Sequence, residues 1–157
     1  MEAVILIGIQ GAGKTTFYVE RFLHTHVRLS LDLVRTRRRL DILLRACLAA
    51  GQRFVLDNTN AGAADRVPAI ALARAANFRV VGYFFEPDVA GSLRRNAARS
   101  GAQVVPRKGL FGTLKRLEPP TPAEGFDELF VVRLSAPSGF EIAPYEPPVE
   151  DAGGPSE

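Results

Sequence analysis

Residues 8–15 read Gly-Ile-Gln-Gly-Ala-Gly-Lys-Thr, the pattern G-x-x-x-x-G-K-[ST], and the chemistry it supports is the handling of a polyphosphate. Gly8, Gly11 and Gly13 let a loop turn its N–H groups inward around phosphate oxygens, with Ala12 between them. Lys14, Thr15 and Thr16 then open a helix whose N-terminal dipole favours negative charge. The Lys14 ammonium suits β- and γ-phosphates, and the Thr15 hydroxyl suits Mg²⁺. A chain with 14 Gly but only 3 Lys seldom sets them at this spacing by accident. GTPases, ATPases and small kinases all share the pattern, and no guanine-reading N-K-x-D motif accompanies it.

Three further groups have chemistry to offer. Asp32 stands in Leu29-Ser30-Leu31-Asp32-Leu33-Val34-Arg35, where a carboxylate accepts the proton of an attacking hydroxyl or simply caps a helix. Arg35, one turn on, shares its face and suits an anionic acceptor. In Asp57-Asn58-Thr59-Asn60 the carboxylate positions Mg²⁺ and the amides and hydroxyl suit acceptor contacts; a turn with an Asx cap is the plainer reading. Arg95 and Arg99, spaced i, i+4, are placed to close over a triphosphate and stabilise transferred charge, or to form a solvated helix face. Arg37, Arg38 and Arg39 read as solvated or as tracking a phosphate backbone. His24 and His26 lack a third ligand at metal spacing and read as surface residues.

In this order, G-I-Q-G-A-G-K-T-T, the Asp32/Arg35 pair, D-N-T-N and R-N-x-x-R resemble the P-loop kinase family that includes 5′-polynucleotide kinases. Val105-Pro106 and Glu124-Gly125-Phe126 resemble that family's lid and C-terminal segments, so the likeness spans about residues 3–134. It implies Asp32 as general base, Arg35 as ligand of the acceptor's phosphate, and Arg95 and Arg99 as a lid over ATP. Arg107-Lys108 depart from it, because an acidic residue often follows the Val-Pro in that family.

Positioning these groups requires strands that end at them. Ala3–Ile9 is an apolar run rich in Val and Ile, the pattern of a strand covered on both faces. A helix follows to about Leu23, then strand Val27–Ser30, a helix from about Leu33 to Ala50 stopped by Gly51, and strand Arg53–Leu56. Helix Ala63–Ala76, strand Arg79–Phe85, a helix from Pro87 or Asp88 to about Arg99, a short helix Gly109–Leu117 and strand Glu128–Leu134 complete the pattern. The alternation predicts an α/β fold: a P-loop kinase domain over residues 1–136, with a five-stranded parallel sheet and helices on both faces. Residues 137–157, acidic and proline-rich, are expected to form an extended or disordered tail.

Charge follows the same division. The 157 residues carry 20 basic and 17 acidic groups, but residues 1–117 have a net charge of +11 and residues 118–157 a net of −8. The basic groups comprise 17 Arg and 3 Lys. A single cysteine, Cys47, fits a core position in a reducing compartment, and no apolar run approaches the ~18 residues that span a bilayer. The expectation is a cytoplasmic, ATP- and Mg²⁺-dependent kinase of a 5′-hydroxyl on DNA or RNA, with no membrane or protein partner implied. A kinase of a sugar, nucleoside or antibiotic is the first rival, and a nucleotide-binding module without transfer the second.

Overall fold

A strand apolar at every position is stable only between two covered faces, and β1 (Glu2–Ile7) lies in the middle of the sheet. The computed structural model describes residues 1–99, 105–135 and 139–148. Around β1 run β2 (Val27–Leu29), β3 (Phe54–Asp57), β4 (Arg79–Phe85), β5 (Glu128–Ser135) and β6 (Gly139–Pro144), in the spatial order β2-β3-β1-β4-β5-β6. The first five are parallel; β5 and β6 pair antiparallel. The helices are α1 (Lys14–Arg21), α2 (Leu31–Val34), α3 (Arg37–Ala50), α4 (Ala63–Ala75), α5 (Val89–Ala97) and α6 (Arg107–Arg116).

The two-residue period of β1 divides the core. Ala3, Ile5 and Ile7 face a layer holding Leu44 and Cys47 of α3 and Ile70 and Ala73 of α4. Val4 and Leu6 face Phe17 and Tyr18 of α1 and Leu110 of α6. The strand order turns back beside β1, which opens a crevice beyond the carboxyl ends of β1, β3 and β4. Among the described residues no helix is long and apolar enough to cross a membrane.

Four expectations change. The sheet has six strands and is mixed, because Gly139–Pro144, inside the expected tail, folds back on β5. Phe140 drives this: its ring packs 5.1 Å from Phe17 and 6.3 Å from Phe85, centroid to centroid. Residues 149–157 of the expected tail lie outside the described residues. The helix expected from Leu33 to Ala50 is two helices, since Thr36 Oγ1 accepts the Arg39 N–H (3.2 Å) and caps a new start at Arg37. The helix expected to reach Arg99 ends at Ala97, so Arg99 lies just past its C-cap, Ala98. His26 is buried rather than at the surface: its ring sits between Glu2 Oε1 (3.1 Å) and Thr25 Oγ1 (2.7 Å), and burial pulls its pKa down.

Candidate active site

The loop after β1 takes its shape from two left-handed residues. Gly11 (φ 74°) and Gly13 (φ 96°) adopt backbone that L side chains rarely enter. A Cβ at Gly11 would also stand 2.8 Å from the Ser92 carbonyl of α5. Gly8 N–H donates to the Thr59 carbonyl (3.0 Å), which fastens the loop to the segment after β3. Gln10 Nε2 donates to Thr113 Oγ1 of α6 (2.9 Å), while its buried Oε1 has no partner among the described residues. Gly13 caps α1, so the N–H groups of Lys14, Thr15 and Thr16 fall in a first turn without intrahelical acceptors or any acidic residue.

Lys14 is buried at 9% exposure, and Nζ donates to the carbonyls of Gly8 and Ile9, both at 2.8 Å. Burial lowers its pKa from the usual 10.5 to about 8; the Arg99 charge pushes the same way, and Asp57 and Asp32 oppose. The ammonium therefore sits in its own loop, poorly compensated, ready to gain from an incoming polyanion.

Asp57, 5% exposed, ends β3 and faces α1. Its Oδ2 accepts from Thr15 Oγ1 (3.1 Å) and from Arg28 Nε (2.8 Å). A hydroxyl and a carboxylate form a hard-oxygen pair suited to Mg²⁺, which keeps most of its waters and takes one or two protein oxygens. Among the described residues no cluster of three or more His, Cys, Asp or Glu offers another metal site.

Asn58 Oδ1 accepts the Leu31 N–H (2.9 Å), joining the end of β3 to α2. Ser30 caps the same turn by accepting the Asp32 N–H (3.2 Å), so Asp32 is held in α2 with its side chain exposed. Arg35 follows at φ 72°, and the Thr36 N–H reaches back to the Val34 carbonyl at 2.9 Å. That is a γ-turn with positive φ, a rare and strained conformation that presents the exposed Arg35 where an ordinary helix would have continued. Asn60 is turned inward instead: buried at 5%, its Nδ2 donates to the carbonyls of Leu6 (2.7 Å), Leu56 (3.3 Å) and Asn58 (3.3 Å). Asn58, Asn60 and the Thr59 carbonyl thus spend their hydrogen bonds tying β1, β3 and α2 together.

Arg95 reaches from α5 to the loop, Nε donating to the Gly11 carbonyl and Nη2 to Ser92 Oγ at 3.3 Å. Burial lowers its pKa; Arg94 and Arg99 push the same way and Asp88 opposes. Asn96 holds the Val105 backbone at both ends, with the Val105 N–H on its Oδ1 at 2.8 Å. Beside the loop a cavity of about 270 Å³ is lined by Ala12, Glu86, Asp88, Arg95, Val132 and Leu134. A larger hollow of about 440 Å³ lies among Arg74, Asn77, Phe78, Arg79 and Asp127, away from every group above, and its Arg74 and Asp127 are paired at 3.1 Å.

Two arginines escaped the sequence reading. Arg28 lay inside a three-residue strand with no motif around it. Arg66 is wholly buried, with Nε and Nη2 on the two Glu124 oxygens (2.6 and 3.1 Å) and Nη1 on the carbonyls of Asn60 (2.7 Å) and Ala61 (3.0 Å). Its signal was present: Arg66, Ile70 and Ala73 share the buried stripe of α4 at i, i+4, i+7.

Residues 4–120 match a protein family described as an AAA domain. The architecture is also shared with solved structures of low identity. Chaetomium thermophilum Kti12 in complex with ADP-AlF3 has a TM-score of 0.59 at 17% identity, over 83% of this chain and 88% of that one. A sugar kinase from Janibacter sp. has a TM-score of 0.63 at 17% identity, over 85% of each chain. Mycobacterium tuberculosis APS kinase CysC in complex with AMPPNP and APS has a TM-score of 0.52 at 17% identity, over 88% of this chain and 90% of that one. The fold is that of P-loop kinase-like α/β domains.

Proposed function

The chain belongs to the family described as an AAA domain, and on that premise we propose that it is an ATP- and Mg²⁺-dependent phosphotransferase acting on a 5′-hydroxyl of DNA or RNA. The loop N–H groups and Lys14 hold the β- and γ-phosphates, and the base enters the cavity between Ala12, Arg95 and Leu134. Thr15 and Asp57 hold Mg²⁺, which when bound supplies electrostatic stabilisation of the phosphates. Asp32 takes the proton of the acceptor hydroxyl, Arg35 binds acceptor phosphate, and Arg95 and Arg99 stabilise charge on the transferred group.

The observation that carries the acceptor class is the open, cationic ground beyond Asp32. Arg35 is held outward by its γ-turn, and Arg37, Arg38 and Arg39 follow exposed on α3, as a phosphate chain would require and a small alcohol would not. The test is transfer of labelled γ-phosphate to 5′-OH oligonucleotides beside sugars, nucleosides and small alcohols. The reading expects oligonucleotide phosphorylation that weakens steeply with salt and falls about 10²–10⁴-fold in Asp32→Ala with ADP affinity unchanged. Salt-resistant transfer to a small alcohol alone would establish the rival acceptor class, and nucleotide binding without any transfer would establish a binding module.

A further inference from the structure

Arg28 touches the groups assigned to the metal and has no task in this reading. Its place follows from strand register. Arg28 pairs with Val55, which belongs to the core layer under α1, whereas the next pair, Leu29 and Leu56, faces the opposite layer. The alternation turns Arg28 toward α1 and hence toward Thr15. Its Nε lies 2.8 Å from Asp57 Oδ2 and its Nη2 lies 3.4 Å from Thr15 Oγ1. The guanidinium therefore touches both groups of the hard-oxygen pair, and it meets the carboxylate on the oxygen that also takes the Thr15 hydroxyl.

Asp57 has a side chain only 3% exposed, and a carboxylate that dry requires a positive partner. In this structure Arg28 is that partner, its guanidinium 2.8 Å from Asp57 Oδ2. A divalent cation reaching Thr15 and Asp57 meets this fixed charge a few ångströms away. A polyphosphate brings negative charge that offsets the crowding of Arg28, Lys14 and the divalent ion. Arg28 itself is on a flexible stem and one-fifth exposed, so it can give up Asp57 by a change of rotamer.

We propose that Arg28 is the resident counter-cation of the Thr15–Asp57 pair, suppressing divalent-metal binding by the protein alone and making it conditional on a nucleotide polyphosphate. The proposal rests on the assignment of Thr15 and Asp57 to Mg²⁺ but not on the identity of the acceptor. A merely structural β2–β3 tie would lower stability when cut and leave metal affinity where it was.

Mn²⁺ is the probe, its binding to the full chain followed by electron paramagnetic resonance and calorimetry, without nucleotide and with saturating ADP. Arg28→Gln is expected to bind Mn²⁺ about tenfold more tightly than wild type without ADP, and Arg28→Lys, which keeps the charge, to stay near wild type. With ADP the difference should shrink. Natively folded Arg28→Gln with Mn²⁺ affinity no higher than wild type overturns the proposal. If that variant does not fold, the wild-type Arg28 Nε–H resonance decides. It should ignore Mg²⁺ alone and shift with Mg²⁺ plus ADP, and a signal unmoved by both refutes the exchange. Should no form bind Mn²⁺ even with ADP, the metal assignment falls and takes the proposal with it, whereas failure to phosphorylate an oligonucleotide touches neither.

Discussion

Lys14 lets the geometry of the loop be read out as a stability curve. Its ammonium is buried on two carbonyls, and burial lowers its pKa from the usual 10.5 to about 8. At about 1.36 kcal/mol per pH unit, the difference amounts to roughly 3 kcal/mol. The sign follows from which state holds the proton. Below pH 8 both the folded and the unfolded chain are protonated at Lys14, and the full cost of burying the charge weighs on the native state. Between about pH 8 and 10.5 the unfolded chain binds more protons, so stability contributed by this group rises with pH and then levels off. Urea denaturation of wild type and Lys14→Met across this window isolates the effect. The buried Cys47 thiol and the Tyr83 and Tyr145 phenols, all pushed up by burial, titrate equally in both proteins and cancel. The lost donors to Gly8 and Ile9 add only an offset that does not change with pH. Wild type should gain about 2–3 kcal/mol relative to Lys14→Met from the low to the high end of the window. A difference that stays flat would mean the ammonium is not held in a desolvated loop, and the account of the site would be wrong. Bound ADP should reverse the trend, because the phosphates keep Lys14 charged; affinity is then expected to fall as pH rises above about 8.

Two other perturbations separate scaffold from site. Arg66→Met leaves Glu124 buried without a cation and strips donors from the Asn60 and Ala61 carbonyls. It should cost about 3–5 kcal/mol and lower Tm by roughly 10 °C, with Arg66→Met/Glu124→Leu recovering much of the loss; a thermal melt checks both. Arg35→Gly relieves the positive φ of the γ-turn, so stability should rise by about 1 kcal/mol while the KM for an oligonucleotide acceptor increases and that for ATP does not.

Much of this molecule is legible in local pattern. The apolar run of β1, the glycines and Lys14 of the loop, and the ends of β3 and β4 can be read because each depends on a few adjacent residues: strand period, left-handed glycine, helix cap. The sixth strand was missed because Gly139–Pro144 has weak strand character of its own; its stability comes from Phe140 meeting Phe17 and Phe85, residues far away in the chain. The break at Arg35 was missed for a related reason. Thr36 is a good helix cap, but nothing nearby signals that α3 will be restarted there rather than continued through Arg35.

That a G-x-x-x-x-G-K-T loop lies between a buried strand and a helix, and which side chains flank it, can be read from the chain alone, since those facts are local. Which of them meet one another depends on long-range strand pairing. Parallel pairing brings the ends of β1, β2 and β3 together, and with them Asp57 between Thr15 and Arg28, Asn58 onto the start of α2, and Asn60 into the core. Strand register chooses the face on which each residue lands, and that choice turns Arg28, an ordinary arginine in an unremarkable strand, into the counter-charge of the site.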